Sequence, residues 1–170
     1  MTMTREEAHT QALSRDTFRA AMADLPAAVS IVTTIGPDGT PHGATVSAVS
    51  SLSMTPPLLL VCLDSHSDTL AALEIGRGFL IHILADGQQQ TAMAFAKKGS
   101  EKFERTEWAP SGSGQPRIPG AAMVFDCVVD DFLPGGDHTI VIGRISDIDH
   151  AQDRIPVVYH RRQMCASPAN

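Results

Sequence analysis

Aromatic residues are scarce. The chain has six Phe, one Trp (Trp108) and one Tyr (Tyr159) in 170 positions, so a site built mainly on ring stacking has little to draw on. Cysteine is scarcer. Cys62, Cys127 and Cys165 are odd in number and form no CxxC pair, which excludes a zinc ribbon or a dithiol redox motif. Cys62 and Cys127 stand inside apolar runs and read as buried thiols. That usage fits a reducing cytoplasm, the expected location. Positive charge is in deficit, 13 Lys and Arg against 19 Asp and Glu, for a net charge of −6. This argues against non-specific binding to nucleic acid or acidic membranes and leaves room for a local basic pocket. No stretch approaches the ~18 apolar residues of a membrane span. The opening MTMTREEAHTQALSRDTF lacks a basic start followed by an apolar run, so neither signal peptide nor membrane association is expected.

Several catalytic motifs are missing too. Gly76-Arg77-Gly78 and Gly112-Ser113-Gly114 each lack the third glycine of a dinucleotide fingerprint, and neither joins a strand to a helix. GxxxxGK[ST] and GxSxG are absent. The seven His residues form no HxH, HExxH or Cys/His cluster, so no metal is expected. No base stands at a fixed offset from the serines at 47, 50, 51 and 53, which read as hydrogen-bond donors and not as nucleophiles.

What is present fits one domain. Residues 1–13 are polar and read as a flexible segment, 14–163 as the folded domain and 164–170 as a disordered tail. Phe18, Met22 and Leu25 fall at helical spacing between a Ser14 N-cap and a Pro26 stop. AAVSIVTTIG reads as a strand, and GPDGTP as the turn of a hairpin. LLLVCL suits a strand buried on both faces, and FLIHIL another strand. SDTLAALEIG is a short helix capped by Ser67. DGQQQTAMAFAKKG is a helix with Asp86 and Gln89 at capping-box spacing and cations at its end. SEKFERTEW adds a helical turn. AAMVFDCVVDDFL and HTIVIGRISDIDH flank PGGD as a second hairpin, and IPVVYH is a last strand. Six or seven hairpin-linked strands with two or three helices favour an antiparallel sheet closed into a small barrel.

The most unusual stretch is HGATVSAVSSLSMTPP, residues 42–57. With a period of two, Ala44, Val46, Ala48, Leu52 and Met54 fall on one face, and Thr45, Ser47, Ser51 and Ser53 on the other. The polar face carries no charge, and its short hydroxyls would let another molecule approach the backbone. Three further groups have both a structural and a functional reading. Lys97, Lys98, Ser100 and Lys102 are a solvated helix end or a phosphate grip. Ser65 and Ser67 are a helix cap or a phosphate contact. Pro134-Gly135-Gly136-Asp137-His138 is a hairpin turn, whose His138 either completes the turn or points into a cleft.

Taken in order, LPAAVSIVTT, HGATVSAVSSLSMTPPLLLVCL, FAKKGSEKF and GGDHTIVIGRI with VVYHRR resemble the flavin reductase-like family over residues 14–163. That family holds the small reductase components of two-component flavin-dependent monooxygenases. The resemblance implies a mainly β split barrel with peripheral helices, a homodimer, FAD or FMN as flavin, and NADH or NADPH as reductant. It implies a partner monooxygenase that receives reduced flavin. Carried over by position, Thr45, Val46 and Ser47 would meet the isoalloxazine edge, and Ser51, Leu52 and Ser53 the ribityl chain and first phosphate. Ser67, Lys97 and Lys102 would complete the phosphate side. His138 and Tyr159 would border the nicotinamide, with Arg161 nearby. No side chain need be a catalytic nucleophile, because the hydride passes between cofactors, and His138 would position them. Many members carry Asn or Gln where Ser47 stands, and a serine offers one hydroxyl in place of an amide's donor and acceptor. Two other classes remain open at this point. One is a flavin-binding electron carrier without NAD(P)H activity, and the other a module for another phosphorylated ring such as a pyridoxal derivative.

Overall fold

The computed structural model describes residues 13–168. The expectations for residues 1–12 and for the last two positions of the tail lie outside that span. Ser14 accepts from the Thr17 N–H and caps α1, Arg15–Ala23, as anticipated. No residue of α1 is buried. The expected first strand is split. β1, Ala27–Ala28, and β2, Ser30–Ile35, are separated by Val29, whose N–H reaches Val157 and whose carbonyl reaches Leu84. The chain thus changes sheets at Val29.

The stretch read as one strand is two. β3, Pro41–Val46, pairs with β2, whereas β4, Val49–Met54, pairs with β5, Pro57–Asp64. Ser47-Ala48 is the corner between them. After α2, Asp68–Ala71, come β6, Gly78–Ile83, then α3, Gln89–Phe95, and α4, Glu101–Glu104. Gln89 donates to the Asp86 carboxylate across the expected capping-box spacing, but α3 has no side-chain cap at its start. A short ribbon of β7, Ala109–Pro110, and β8, Pro116–Arg117, precedes the long hairpin of β9, Met123–Gly135, and β10, His138–His150. The chain closes with β11, Val157–His160, and β12, Gln163–Ala166.

The result is mainly β with few helices. Seven strands form one sheet in the order β3-β2-β6-β9-β10-β5-β4, and β1-β11-β12 form a second. Every strand pairing among the described residues is antiparallel, as the hairpin-rich pattern required. No helix among them is long and apolar enough to cross a membrane.

β6 is the strand buried on both faces, from Phe79 to Ile83. β5 is not, because only Leu59, Val61 and Leu63 reach the core while Leu58, Leu60 and Cys62 stay half-buried. Met123, Phe125, Cys127 and Val129 share the core face of β9, as read from the sequence. Burial pushes the Cys127 thiol up to about 12, so it is inert. Residues 164–166, expected in the disordered tail, are strand. Met164 packs on the second core cluster, and β12 pairs with β11 from Gln163 to Ala166.

Buried polar groups tie the sheets to the loops. His82 is fully buried, with Nδ1 3.1 Å from the Ile31 carbonyl and Nε2 accepting from the Ile118 N–H at 3.1 Å. Nδ1 is therefore the donor of a neutral ring. Burial, the larger cause, lowers its pKa from 6.5 to about 4, and the Arg117 charge adds to this. Between those values the unfolded chain binds the proton and the folded chain does not. Stability is complete above pH 6.5 and falls as pH drops towards 4, by roughly 3 kcal/mol from this group. Urea unfolding of wild type and His82→Gln across that window should show a shallower fall in the variant; equal slopes would assign the pH dependence to other groups.

Candidate functional site

β3 and α3 face each other closely. Gly43 is buried, and a Cβ there would lie 2.8 Å from the Phe95 ring and 3.0 Å from the Val32 carbonyl. Glycine is therefore required for the ring to rest on the strand. Two residues along, Thr45 donates to the Ala92 carbonyl at 2.6 Å. Its hydroxyl thus holds α3 and is not free for a ligand. Lys102 completes the seam. Its Nζ donates to the Gly43 and Lys97 carbonyls, both at 2.7 Å, and lies 5.7 Å from the Phe95 ring centre. Two of its three N–H donors are thus occupied, and one remains. Burial lowers its pKa, and Asp68 acts in the opposite direction.

A cavity of about 350 Å³ opens beside this seam. It is lined by the end of β3 and the corner, from Ala44 to Ala48, and by Cys62, Leu63 and Asp64 at the end of β5. Lys97, Lys98, Lys102, Asp68 and His138 line it as well, and Lys98 acts electrostatically on Asp64 as Asp68 does on Lys102. The Asp64 carboxylate accepts from the His66 N–H at 2.7 Å, which is the main reason its pKa is lowered. Ser67 accepts from the Thr69 N–H and caps α2, so its hydroxyl has the structural role. α2 is a single turn of four residues, too short for the helix dipole to carry a phosphate site.

A second cavity, about 790 Å³, also borders the corner. It is walled by Phe18 and Met22 of α1, by Ala27 and Tyr159 of the small sheet, and by Arg19 and Arg162. Ser47, Ala48 and His138 line both cavities. His138 is held there by a 2.7 Å contact between Nδ1 and the Asp137 carboxylate. The same hydrogen bond is the main cause of the lowered Asp137 pKa.

A profile described as the flavin reductase like domain matches residues 22–168. This chain belongs to the flavin reductase-like family. Flavin reductase (NADH) of Kitasatospora aureofaciens is 38% identical over 156 residues, 90% of this chain and 82% of that protein. The reductase subunit HsaB of a flavin-dependent monooxygenase from Rhodococcus jostii is 32% identical over 153 residues, 90% and 78% of the two chains. Among solved structures, the NADH:FAD oxidoreductase SgcE6 of Streptomyces globisporus C-1027, in complex with NAD and FAD fragments, superposes with a TM-score of 0.82. It is 29% identical, and the match covers 89% of this chain and 92% of that one.

The first cavity suits the group that names the flavin reductase-like family. A flavin combines a flat ring with a polar edge and an anionic tail. The backbone of the corner, the apolar side chains of Ala44, Val46 and Leu63, and three lysines supply those features within one cavity. Of the residues singled out in the sequence, Thr45, Val46, Ser47, Ser67, Lys97, Lys102 and His138 come together there. Tyr159 lies in the second cavity. Ser51, Leu52 and Ser53 line neither one; β4 pairs along β5 and leaves Ser51 and Leu52 exposed and Ser53 half-buried. Arg161 lines neither cavity, since its Nε donates to the Asp24 carboxylate at 3.1 Å. Sequence reasoning missed the wall made by α1 and the part of Arg162. The apolar spacing of Phe18 and Met22 carried the first signal, and no local pattern carried the second.

Gly43→Ala tests the seam. The added methyl should displace Phe95 and cost about 1–3 kcal/mol, and flavin affinity should fall as the end of α3 shifts. Unchanged urea unfolding and flavin titration would mean that the seam does not set the cavity.

Proposed function

We propose that this chain is an NAD(P)H-dependent flavin reductase that supplies reduced FAD or FMN to a partner monooxygenase. The observation that carries the reading is the common wall of the two cavities at Ser47, Ala48 and His138. Two ligands seated in them would come together at that place, where their rings could stack. An electron carrier needs the first cavity only, so the second one favours the enzyme. With both bound, the nicotinamide would supply a hydride to the flavin, and the residues of the common wall would hold the two together. The relatives carry names of this kind, flavin reductase (NADH) and the reductase subunit of a flavin-dependent monooxygenase.

The chain's own residues would then bind and orient. The corner backbone, with Val46 and the Ser47 hydroxyl, would contact the ring edge, and donors there would stabilise charge on the reduced flavin. Lys97 and the remaining N–H of Lys102 would hold the tail phosphate, beside Ser67. His138 would keep the two rings in register, with Tyr159 as an apolar flank for the nicotinamide. The three cysteines are free, consistent with a reducing cytoplasm.

The same reading includes a split barrel. β3 and β4 lie at opposite ends of a seven-stranded order yet are joined by two residues. Laid flat, those ends would be about 29 Å apart at ordinary strand spacing. Ser47-Ala48 can bridge at most about 11 Å. A sheet that curls its edges towards each other meets that constraint. The reading also includes a homodimer. The surface of β4 exposes Leu52 and Met54, the latter 93% accessible. A second copy against it would bring Ser51, Leu52 and Ser53 to a flavin that the single chain keeps from them.

Four measurements test these statements. Oxidation of NADH and NADPH should depend on added FAD, FMN or riboflavin, and no turnover with any of them would end the reductase reading. His138→Ala should lower kcat/KM for NADH by about tenfold to a hundredfold, roughly 1.4 to 2.8 kcal/mol, with flavin affinity within about threefold. If His138 only completes the turn, the variant will instead melt earlier and keep its kinetics in the cold. Sedimentation should give a dimer, and Ser51→Glu should weaken flavin binding at least tenfold, ~1.4 kcal/mol. A monomer that reduces flavin at full rate would remove the dimer.

A further inference from the structure

The turn between β11 and β12 is unusual for its sequence. Arg161 and Arg162 both adopt positive φ, 52° and 62°, in a two-residue hairpin that normally takes Asn or Gly. Such a conformation persists where the surroundings hold it, and it can mark a functional position. Here the holding contacts are clear. The Arg161 N–H donates to the Ala23 carbonyl at 2.6 Å, and its guanidinium donates to Asp24. Arg161 thus fastens the end of α1 to the turn, and the next residue, Arg162, lines the 790 Å³ cavity.

The charge in that cavity is one-sided. Arg19 comes from α1 and Arg162 from the turn, and no carboxylate among the described residues lines the space. Neither arginine makes an ion pair among those residues. The remaining wall is apolar or aromatic, with Phe18, Met22 and Tyr159. In a chain of net charge −6, two guanidinium groups without an ion pair among the described residues, set beside apolar surface, suit a ligand with flat rings joined by phosphates. Guanidinium groups bind phosphate oxygens in paired hydrogen bonds.

We infer that Arg19 and Arg162 form a clamp for the pyrophosphate of the nicotinamide dinucleotide. Arg161 acts as a positioning residue that sets the clamp through the backbone. The clamp rests on the reductase reading, and it gives Arg162, not Arg161, the contact with the reductant. It acts on binding and takes no part in the hydride step.

Calorimetric titration of the flavin-loaded protein with NAD⁺, which cannot reduce the flavin, reads the clamp without turnover. Arg162→Ala should raise the dissociation constant about tenfold, the loss of a charged hydrogen-bonding partner. Arg162→Lys, which keeps the charge, should recover most of it. Arg162→Gly relaxes the backbone but lacks the charge, so it should match Arg162→Ala. Arg19→Ala should weaken NAD⁺ in the same direction. KM for NADH should rise in parallel with less change in kcat, and the loss should shrink at least threefold with N-benzyl-dihydronicotinamide, which has no phosphate. Flavin affinity should hold. In the wild type, the NAD⁺ dissociation constant should rise with ionic strength, a result that needs no variant to fold. Unchanged NAD⁺ affinity in Arg162→Ala, or wild-type affinity in Arg162→Gly, would overturn the clamp while flavin-dependent NADH oxidation continued. A wild type that oxidises neither NADH nor NADPH with any flavin would overturn the reductase reading itself.

Discussion

Close approach of a helix to a strand edge governs this molecule. Because Gly43 has no side chain, the Phe95 ring rests on the backbone of β3. That contact brings the end of α3 to the strand, and with it Lys97 and Lys98. Lys102 then joins strand and helix end through two carbonyls, and Thr45 adds a third tie at Ala92. The cavity is therefore walled by backbone and small side chains on one side and by lysines on another. A larger residue at position 43 would separate features that a single ligand must reach together.

The electrostatics follow a similar division. The chain is acidic overall, yet both cavities collect cations, lysines in the first and arginines in the second. Acidic residues elsewhere on the surface are paired with Arg77, Arg105, Arg117 and Arg144, and such exposed pairs add little stability. Arg19 and Arg162 make no such pair among the described residues. Net charge alone gave no sign of these local cationic sites.

Much of the fold was legible where local chemistry is strong. Ser14 and Ser67 capped helices as read, GPDGTP and PGGD turned hairpins, and the alternation along β9 faced the core. The failures share a cause. Val29 switches sheets, Ser47-Ala48 turns a corner, and β12 continues past Arg161-Arg162 without any residue that favours a turn. Each is imposed by distant partners, and a local pattern cannot display it.

The site divides along the same line. Sequence alone determined the types of group available: small hydroxyls and backbone near residue 45, lysines near 97–102, a histidine after a Gly-Gly turn. Those are properties of short segments, fixed by composition and spacing. Only the tertiary structure decided which of them share a space. It drew Thr45 into a bond with α3, tied Arg161 to Asp24, left Ser51 to Ser53 on an outer strand and set Arg162 beside α1. Hydrogen-bonding capacity is limited, so a side chain engaged by the fold is not free for a ligand. Which groups the fold engages depends on residues as far apart in sequence as Asp24 and Arg161.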